Sequence, residues 1–189
     1  MEGDAWKPGS LAGSSEPGGG SSKSNEKVII SMFQRGESFE NVISPELLSH
    51  LDAIYEKGAR TIYNLTLPPS ELSRYIWKNM FSDTKYITEI NGTRIAIEDF
   101  HPPTQEQLQI ISDDAFKRMK NGENVLVHCH GGLGRTGTIL TAIYMKSQEV
   151  YDARAALNYV RENYNSYAVE TRSQMSALKT FGNLITAHR

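Results

Sequence analysis

The sequence predicts an α/β fold, a central mixed sheet with helices on its faces. The main observation is the order of patterns from Val28 onward, where short β-branched or aliphatic runs alternate with segments of helical apolar spacing. A second observation is the Asn91-Gly92 pair between two alternating runs, which is typical of a β-hairpin turn. A third is the run Val125-Leu126-Val127, which is apolar throughout and precedes a helical pattern, as expected of a strand buried in the sheet.

The elements of this fold are placed by their apolar period and their end signals. Val28-Ile29-Ile30 is predicted as an edge strand. The next helix begins at Ser44-Pro45, with serine as N-cap and proline in the first turn, and ends at Gly58. The remaining predicted strands are 59–65, 86–90, 93–97 and the run at Val125, and the remaining predicted helices are 70–77, 104–120, 135–147, 151–164 and 171–188.

Composition divides the chain into two parts. Residues 1–25 are dominated by glycine, serine and proline without an apolar run, which predicts disorder, and residues 26–189 are predicted to be one folded domain. The net charge of −2 shows no basic excess of the kind that indicates nucleic-acid binding. No segment resembles a secretory signal or reaches the length of a membrane span, and a single cysteine forms no internal disulfide. We therefore expect no membrane span and a reducing, cytoplasmic compartment.

The only cysteine lies in a glycine-rich stretch between the Val125 strand and the following helix. In this stretch Cys129 precedes Arg135 by six positions. Glycines let successive backbone N–H groups converge, and amides at a helix start favour an anion, so the loop is predicted to hold a phosphate. The same amides and the Arg135 guanidinium favour the thiolate form of Cys129. Thr136 is predicted to donate a hydrogen bond to this sulfur when it leaves as a thiolate, and His128 is predicted to orient the loop through hydrogen bonds. The predicted phosphate-binding residues are His130, Gly131, Gly132, Leu133, Gly134 and Arg135.

These residues resemble the His-Cys-x5-Arg-Thr/Ser signature of the cysteine-based protein phosphatases, with every named position filled. Over residues 39–184 the chain is similar to small atypical dual-specificity phosphatases, which implies their compact fold. The resemblance implies hydrolysis through a phospho-cysteine on Cys129, without metal or cofactor. Two other interpretations compete with it. A lone cysteine before a helix is often a small buried hydrophobe, and a nucleotide loop requires Gly-Lys-Ser/Thr where this chain has Gly134-Arg135-Thr136.

A phosphatase of this kind needs a general acid to protonate the leaving oxygen. The resemblance places the acid on a loop about thirty residues before the cysteine, which selects Asp99. Glu98 competes for this role, but strand alternation directs the two carboxylates to opposite sides. In another interpretation Asp99 caps the next helix, for which Thr104 is the better candidate.

A third segment, a Glu-Thr-x-x-Gln pattern before the last helix, resembles the same phosphatases. The resemblance implies that Gln174 approaches the active site and positions the hydrolytic water. The alternative is a capping box in which Gln174 bonds back to the start of its own helix.

The substrate class is predicted from two absences in the sequence. No extended phosphotyrosine-recognition segment precedes the domain, and the resemblance then implies a shallow pocket that admits phosphoserine and phosphothreonine as well as phosphotyrosine. The loop contains no lysine, which argues against inositol lipids, although a protonated His130 supplies one positive charge. We expect phosphorylated proteins as partners. Phosphoinositides or RNA 5′-phosphates as substrates, and a phosphate-binding module without catalysis, remain the alternatives.

Overall fold

The computed structural model of the protein describes residues 6, 8–15, 52–67 and 71–187, without the side chains of residues 71–73 and 76. In these ranges the strands are β1 Leu11–Ser14, β2 Thr61–Asn64, β3 Lys85–Ile87, β4 Glu89–Ile90, β5 Thr93–Arg94 and β6 Val125–His128. The helices are α1 Glu71–Met80, α2 Gln105–Lys120, α3 Gly134–Gln148, α4 Ala153–Asn163 and α5 Arg172–Ala187. A further helical segment covers 52–56. No helix in the described ranges has both the length and the apolar character that a membrane crossing requires.

The central sheet has the strand order β1-β6-β2-β3, and its neighbouring strands pair in parallel. The α/β class is therefore confirmed. The antiparallel hairpin β4-β5 forms a sheet of its own, where the sequence predicted one mixed sheet, because the chain bends at Thr88 between β3 and β4. Asn91 and Gly92 have φ angles of 50° and 82°, as the predicted hairpin turn requires. Pairing ends at Arg94, short of the predicted residue 97, and the Ile97 amide donates instead to the Leu65 carbonyl at 2.9 Å.

The predicted disorder of residues 1–25 is wrong for the part that includes β1. This strand pairs with β6 in register, with Ser14 opposite His128. A Cβ on Gly13 would lie 2.6 Å from Leu140 Cδ1 and 3.0 Å from Thr136 Cγ2, so only a small residue lets the strand approach α3 this closely. Glycine and serine serve packing here, although their abundance predicted disorder. The rest of 1–25, the predicted strand 28–30 and the predicted helix start at 44–45 lie outside the described residues.

The two central strands are buried on both faces of the sheet. On one face Tyr63 and Val127 pack into the core formed with α2 to α5. On the other face Ile62 and Leu126 pack against a second cluster around Trp77. This alternation is the two-residue period of a strand, and burial on both faces explains the continuous apolar run at β6. The end of β6 is therefore held firmly between two layers.

A polar network ties β2 to α2. The Tyr63 hydroxyl donates to the Asp114 carboxylate, which also accepts a hydrogen bond from Arg118 Nε at 2.9 Å. Burial, together with this hydrogen bond, raises the pKa of Tyr63 far above its ordinary value, so the phenol stays protonated and acts as the donor. Arg118 also reaches Glu123 at 3.2 Å, and Glu123 accepts a hydrogen bond from Thr61 at 2.5 Å. β2 is thereby tied at Thr61 and Tyr63 to α2 and to the turn that follows this helix.

Candidate active site

The glycine-rich loop connects the end of β6 to the first turn of α3. Cys129 follows the last residue of β6 and is buried, with 2% of its surface exposed. The Gly132 amide donates to Cys129 Sγ at 3.2 Å, which requires the loop to curl back on itself. Gly132 makes this turn with a φ of 78°, in the region that favours glycine. An N–H group aimed at the sulfur stabilises negative charge there.

Two members of the loop lie at its exposed edge. His130 is exposed, and a Cβ built on Gly131 would meet no atom within 4 Å. The loop therefore exposes His130 and leaves open space beside Gly131, while the cysteine at its start is covered.

Arg135 lies in the first turn of α3, with only 4% of its surface exposed. Its Nη1 donates to the Ile97 carbonyl at 2.9 Å, and its Nη2 lies 3.5 Å from Asp99 Oδ1. Its Nε has no hydrogen-bond partner in the described part of the chain. One side of the guanidinium is thus anchored, while the Nε and Nη2 edge retains the donor geometry that fits two oxygens of a phosphoryl group.

The two acidic candidates, Glu98 and Asp99, occupy the first two positions of one turn, in which the His101 amide donates to the Glu98 carbonyl at 3.0 Å. Asp99 faces Arg135, and its Oδ1 also accepts a hydrogen bond from the Phe100 amide at 3.0 Å. Glu98 instead pairs with His101, whose Nε2 lies 3.7 Å from Glu98 Oε2. Phe100 has a φ of 65°, which is uncommon for a large residue and produces this tight turn. The structure brings only Asp99 to the arginine.

Thr104 caps α2, as the sequence predicted in preference to Asp99. The Thr104 hydroxyl accepts from the Gln107 amide at 3.0 Å, and the Gln107 side chain accepts from the Thr104 amide at 3.0 Å. This reciprocal capping box leaves the Asp99 carboxylate outside the helix start.

His128, directly before Cys129, and Thr136, seven residues after it, are both fully buried. Thr136 Oγ1 has no hydrogen-bond partner within the described residues, which is unusual for a buried hydroxyl. His128 Nδ1 lies 3.3 Å from the Cys129 carbonyl, and its ring lies 6.4 Å from the ring of Tyr86. Thr136 thus retains an unused donor, and His128 contacts the loop backbone.

The segment between α4 and α5 braces the loop, and sequence reasoning missed it. The Tyr164 hydroxyl donates to the Gly132 carbonyl at 2.5 Å, and the Val169 amide donates to the Leu133 carbonyl at 3.1 Å. Val169 has a φ of 66°, which is rare for a β-branched residue, and its carbonyl accepts from Arg161 Nη2 at 3.2 Å. The two contacts to the loop join residues 32 and 36 positions apart, so no local pattern revealed them.

Gln174 forms the predicted capping box. Its amide donates to Thr171 Oγ1 at 3.1 Å, and its Oε1 accepts from the amides of Thr171 and Glu170 at 3.2 and 2.9 Å. The same side chain also reaches the site, because its Nε2 donates to the His101 carbonyl at 3.4 Å and would lie 3.0 Å from a Cβ on Gly134. It joins the turn at residues 98–101, which carries the predicted acid Asp99 and which we call the acid loop, to the start of α3 while it caps its own helix.

No cluster of three or more His, Cys, Asp or Glu side chains suited to a metal ion occurs among the described residues.

Solved structures share this fold. The chain is similar to Tk-PTP in its active form, with 32% identity and a TM-score of 0.58, over 71% of this chain and 85% of that one. It also superposes on kinase associated phosphatase with a TM-score of 0.64, over 95% of this chain and 89% of that one, where 19% identity shows the fold alone. Together with the loop that holds Cys129 and Arg135, these comparisons define the class: the protein is a cysteine-dependent phosphatase with the dual-specificity fold.

The family follows from a match to residues 43–149, more than half of the chain. The matching family is described as "Polymorphic toxin system, DSP-PTPase phosphatase", and the chain belongs to it. The chain is also 40% identical over 90 residues to the uncharacterized protein MJECL20 of Methanocaldococcus jannaschii. This match covers 48% of the chain and 58% of the archaeal relative, so it spans little more than half of that protein. The predicted family and enzyme class are confirmed.

Proposed function

We propose that the protein hydrolyses phosphotyrosine and phosphoserine or phosphothreonine in proteins, through a phospho-cysteine on Cys129 with Asp99 as general acid and base. The observation that carries this proposal is the position of Arg135. It lies in the loop that begins with Cys129, is anchored by the Ile97 carbonyl, and reaches Asp99 at 3.5 Å. One guanidinium therefore connects the predicted nucleophile, phosphate cradle and acid.

In the first step the Cys129 thiolate attacks phosphorus in line with the leaving oxygen. The S–P bond forms and the P–O bond breaks, while Asp99 gives its proton to the leaving oxygen. The loop amides and the Nε and Nη2 edge of Arg135 hold the equatorial oxygens, where negative charge is greatest in the transition state. The amide of Gly132, which donates to Sγ at 3.2 Å, supports a sulfur that carries charge.

In the second step a water molecule attacks the phospho-cysteine. Asp99, now a carboxylate, takes a proton from this water, the S–P bond breaks, and orthophosphate leaves. The unpartnered hydroxyl of Thr136 is the donor that we assign to the departing thiolate. Gln174 lies between the acid loop and Gly134, which supports the weaker assignment that its amide positions the water.

Two features support activity on both kinds of phosphoamino acid. The exposed His130 and the open space at Gly131 lie next to the buried cysteine, so a short serine or threonine side chain has less depth to cross. The acid loop does not deepen the pocket above Cys129, because the side chain of Asp99 is 55% exposed and Phe100 is 58% exposed.

The single cysteine of the chain also supports a reducing, cytoplasmic setting, in which the thiol stays available.

The test is phosphate release from four matched substrates: a phosphotyrosine peptide, the same peptide with phosphothreonine, a phosphoinositide and an RNA 5′-triphosphate. The Cys129→Ser variant is the blank for each. Turnover of both peptides by the wild type alone supports the proposal. Turnover restricted to the lipid or the RNA contradicts the proposed substrate, and phosphate binding without turnover of any substrate contradicts the proposed catalysis.

A further inference from the structure

A basic groove lies between α4 and α5, and we define it by Arg154, Arg161, Arg172 and Lys179. It has a volume of about 490 Å³. Two of its cations lie seven residues apart on α4, and the other two lie seven residues apart on α5. Residues at this spacing share one face of a helix, so each helix turns a basic face into the groove. A single carboxylate, Glu170, lines the groove with them.

Most cations of the basic groove form no ion pair within the described part of the chain. The side chains of Arg154, Arg172 and Lys179 are exposed, and none of them forms an ion pair with another described residue. Only Arg161 has a structural task, because its guanidinium holds the Val169 carbonyl at 3.2 Å. The whole chain carries a net charge of −2, so this concentration of positive charge is a local departure from its average. Such a groove attracts anions before contact is made.

The basic groove is continuous with the phosphate loop. An adjoining cavity is lined by Leu133 of the loop and shares Arg161, Val169 and Glu170 with the groove. Glu170 marks the junction, because its Oε1 would lie 2.6 Å from a Cβ on Gly134 in the loop. A substrate whose phosphate is in the loop therefore has a direct path along the surface into the groove.

The basic groove runs from the phosphate loop toward the start of α4 and the second half of α5. A Cβ on Gly182, in the last half of α5, would meet the Tyr151 carbonyl just before α4, so the two helices run antiparallel. Arg154 and Lys179 are thus at the far end, and Arg161 is at the end near the loop. Seven helical residues rise about 10 Å, the length of about three residues of extended peptide.

We propose that the basic groove binds an acidic segment of a phosphoprotein substrate, several residues along the chain from the phosphorylated residue. This inference rests on the proposed function. Glu170 at the junction repels an acidic residue next to the phosphorylated one, whereas Arg154 and Lys179 attract acidic residues farther away. The buried residues Leu157 and Met175 line the groove between the cations and offer apolar contact to the side chains between the acidic ones.

A peptide fits these observations better than a membrane or a polyphosphate. A bilayer is a plane, whereas the basic groove is a concave channel between two helices. A small polyphosphate requires cations gathered around one point, whereas here they are spread along two helix faces. An extended peptide follows such a channel and meets the cations in succession.

The experiment compares kcat/KM for three phosphotyrosine peptides and a small aryl phosphate. One peptide carries three acidic residues four to six positions after the phosphotyrosine, one carries them before it, and one carries asparagine and glutamine instead. We expect the wild type to prefer one acidic peptide over the neutral one about tenfold, from a few exposed ion pairs, with the preference falling as salt rises. The Arg154→Gln/Lys179→Gln variant should lose at least threefold of that preference and still hydrolyse the neutral peptide and the aryl phosphate.

The matched control is Lys117→Gln/Lys120→Gln, which removes two exposed cations from α2 outside the groove and the site. It should keep the preference. If the groove variant also loses aryl phosphate turnover, the charge-preserving Arg154→Lys/Lys179→Arg variant decides, because it must retain the preference if charge is the cause.

Two results overturn the inference while leaving the proposed function intact: equal kcat/KM for acidic and neutral peptides in the wild type, or an unchanged preference in the groove variant. Hydrolysis of the aryl phosphate without hydrolysis of any peptide overturns the proposed function itself. Inhibition by anionic vesicles or RNA that the groove variant relieves, without any peptide preference, assigns the groove to another partner and also overturns the inference.

Discussion

Replacing Arg135 by lysine separates the charge of this residue from its shape. Lysine keeps the positive charge but has one ammonium in place of the fork, so it cannot both hold the Ile97 carbonyl, 2.9 Å from Nη1, and offer two donors to a phosphoryl group. Hydrogen bonds to charged groups contribute about 1.5–3 kcal/mol each. Loss of two of them from the transition state costs about 3–6 kcal/mol, which lowers kcat/KM about 10²- to 10⁴-fold.

The assay is kcat/KM for a small aryl phosphate, together with the inhibition constant of orthophosphate and the thermal unfolding of each variant. Arg118→Lys is the matched control, since Arg118 is a half-buried arginine that is bonded to Asp114 and lies outside the site. It should lose stability without a comparable loss of rate. An Arg135→Lys enzyme within about fivefold of the wild type would refute the assignment of a bidentate phosphate contact.

Three further substitutions test the acid, the brace and the packing of the loop. Asp99→Asn should lower the rate for alkyl phosphates about 10²- to 10⁴-fold and less for good leaving groups, and the same loss in Glu98→Gln instead would mean that the acid is misassigned. Tyr164→Phe removes a hydrogen-bond donor to the loop, so kcat should fall about tenfold and the free energy of unfolding should fall by about 1 kcal/mol. A loss of stability with an unchanged kcat would mean that Tyr164 has no positioning role. Gly137→Ala places a Cβ 2.8 Å from the Val169 amide nitrogen and should cost about 1–3 kcal/mol in chemical denaturation, while an unchanged unfolding free energy would contradict this close approach.

Features encoded in neighbouring residues could be predicted from the sequence. The loop between β6 and α3 is an example, because strand, glycines and helix follow one another without interruption. The capping box at Thr104 and the turn at Asn91-Gly92 were equally accessible, since each depends on residues at most three positions apart.

Features that depend on the tertiary arrangement were missed or predicted for the wrong reason. The place of β1 in the sheet was hidden by its composition, because the small residues that let it pack on α3 also indicate disorder. Strand alternation separates Asp99 from Glu98 in the sequence argument, yet residues 95–98 form no strand, and the two carboxylates instead face different partners, Arg135 and His101, from one turn. The Tyr164 contact joins segments 32 residues apart and has no local signature.

The phospho-cysteine intermediate tests the central claim most directly. The Asp99→Asn enzyme, in which the second step should be slowed, is mixed with an aryl phosphate, quenched within milliseconds in alkaline denaturant, which preserves phosphoryl groups on both cysteine and histidine, and digested for mass spectrometry. We predict one phosphoryl group on the peptide that contains Cys129, removed by iodine, which cleaves the S–P bond, and absent in the Cys129→Ser variant. A phosphoryl group on His128 or His130, or turnover without any labelled peptide, would contradict the mechanism.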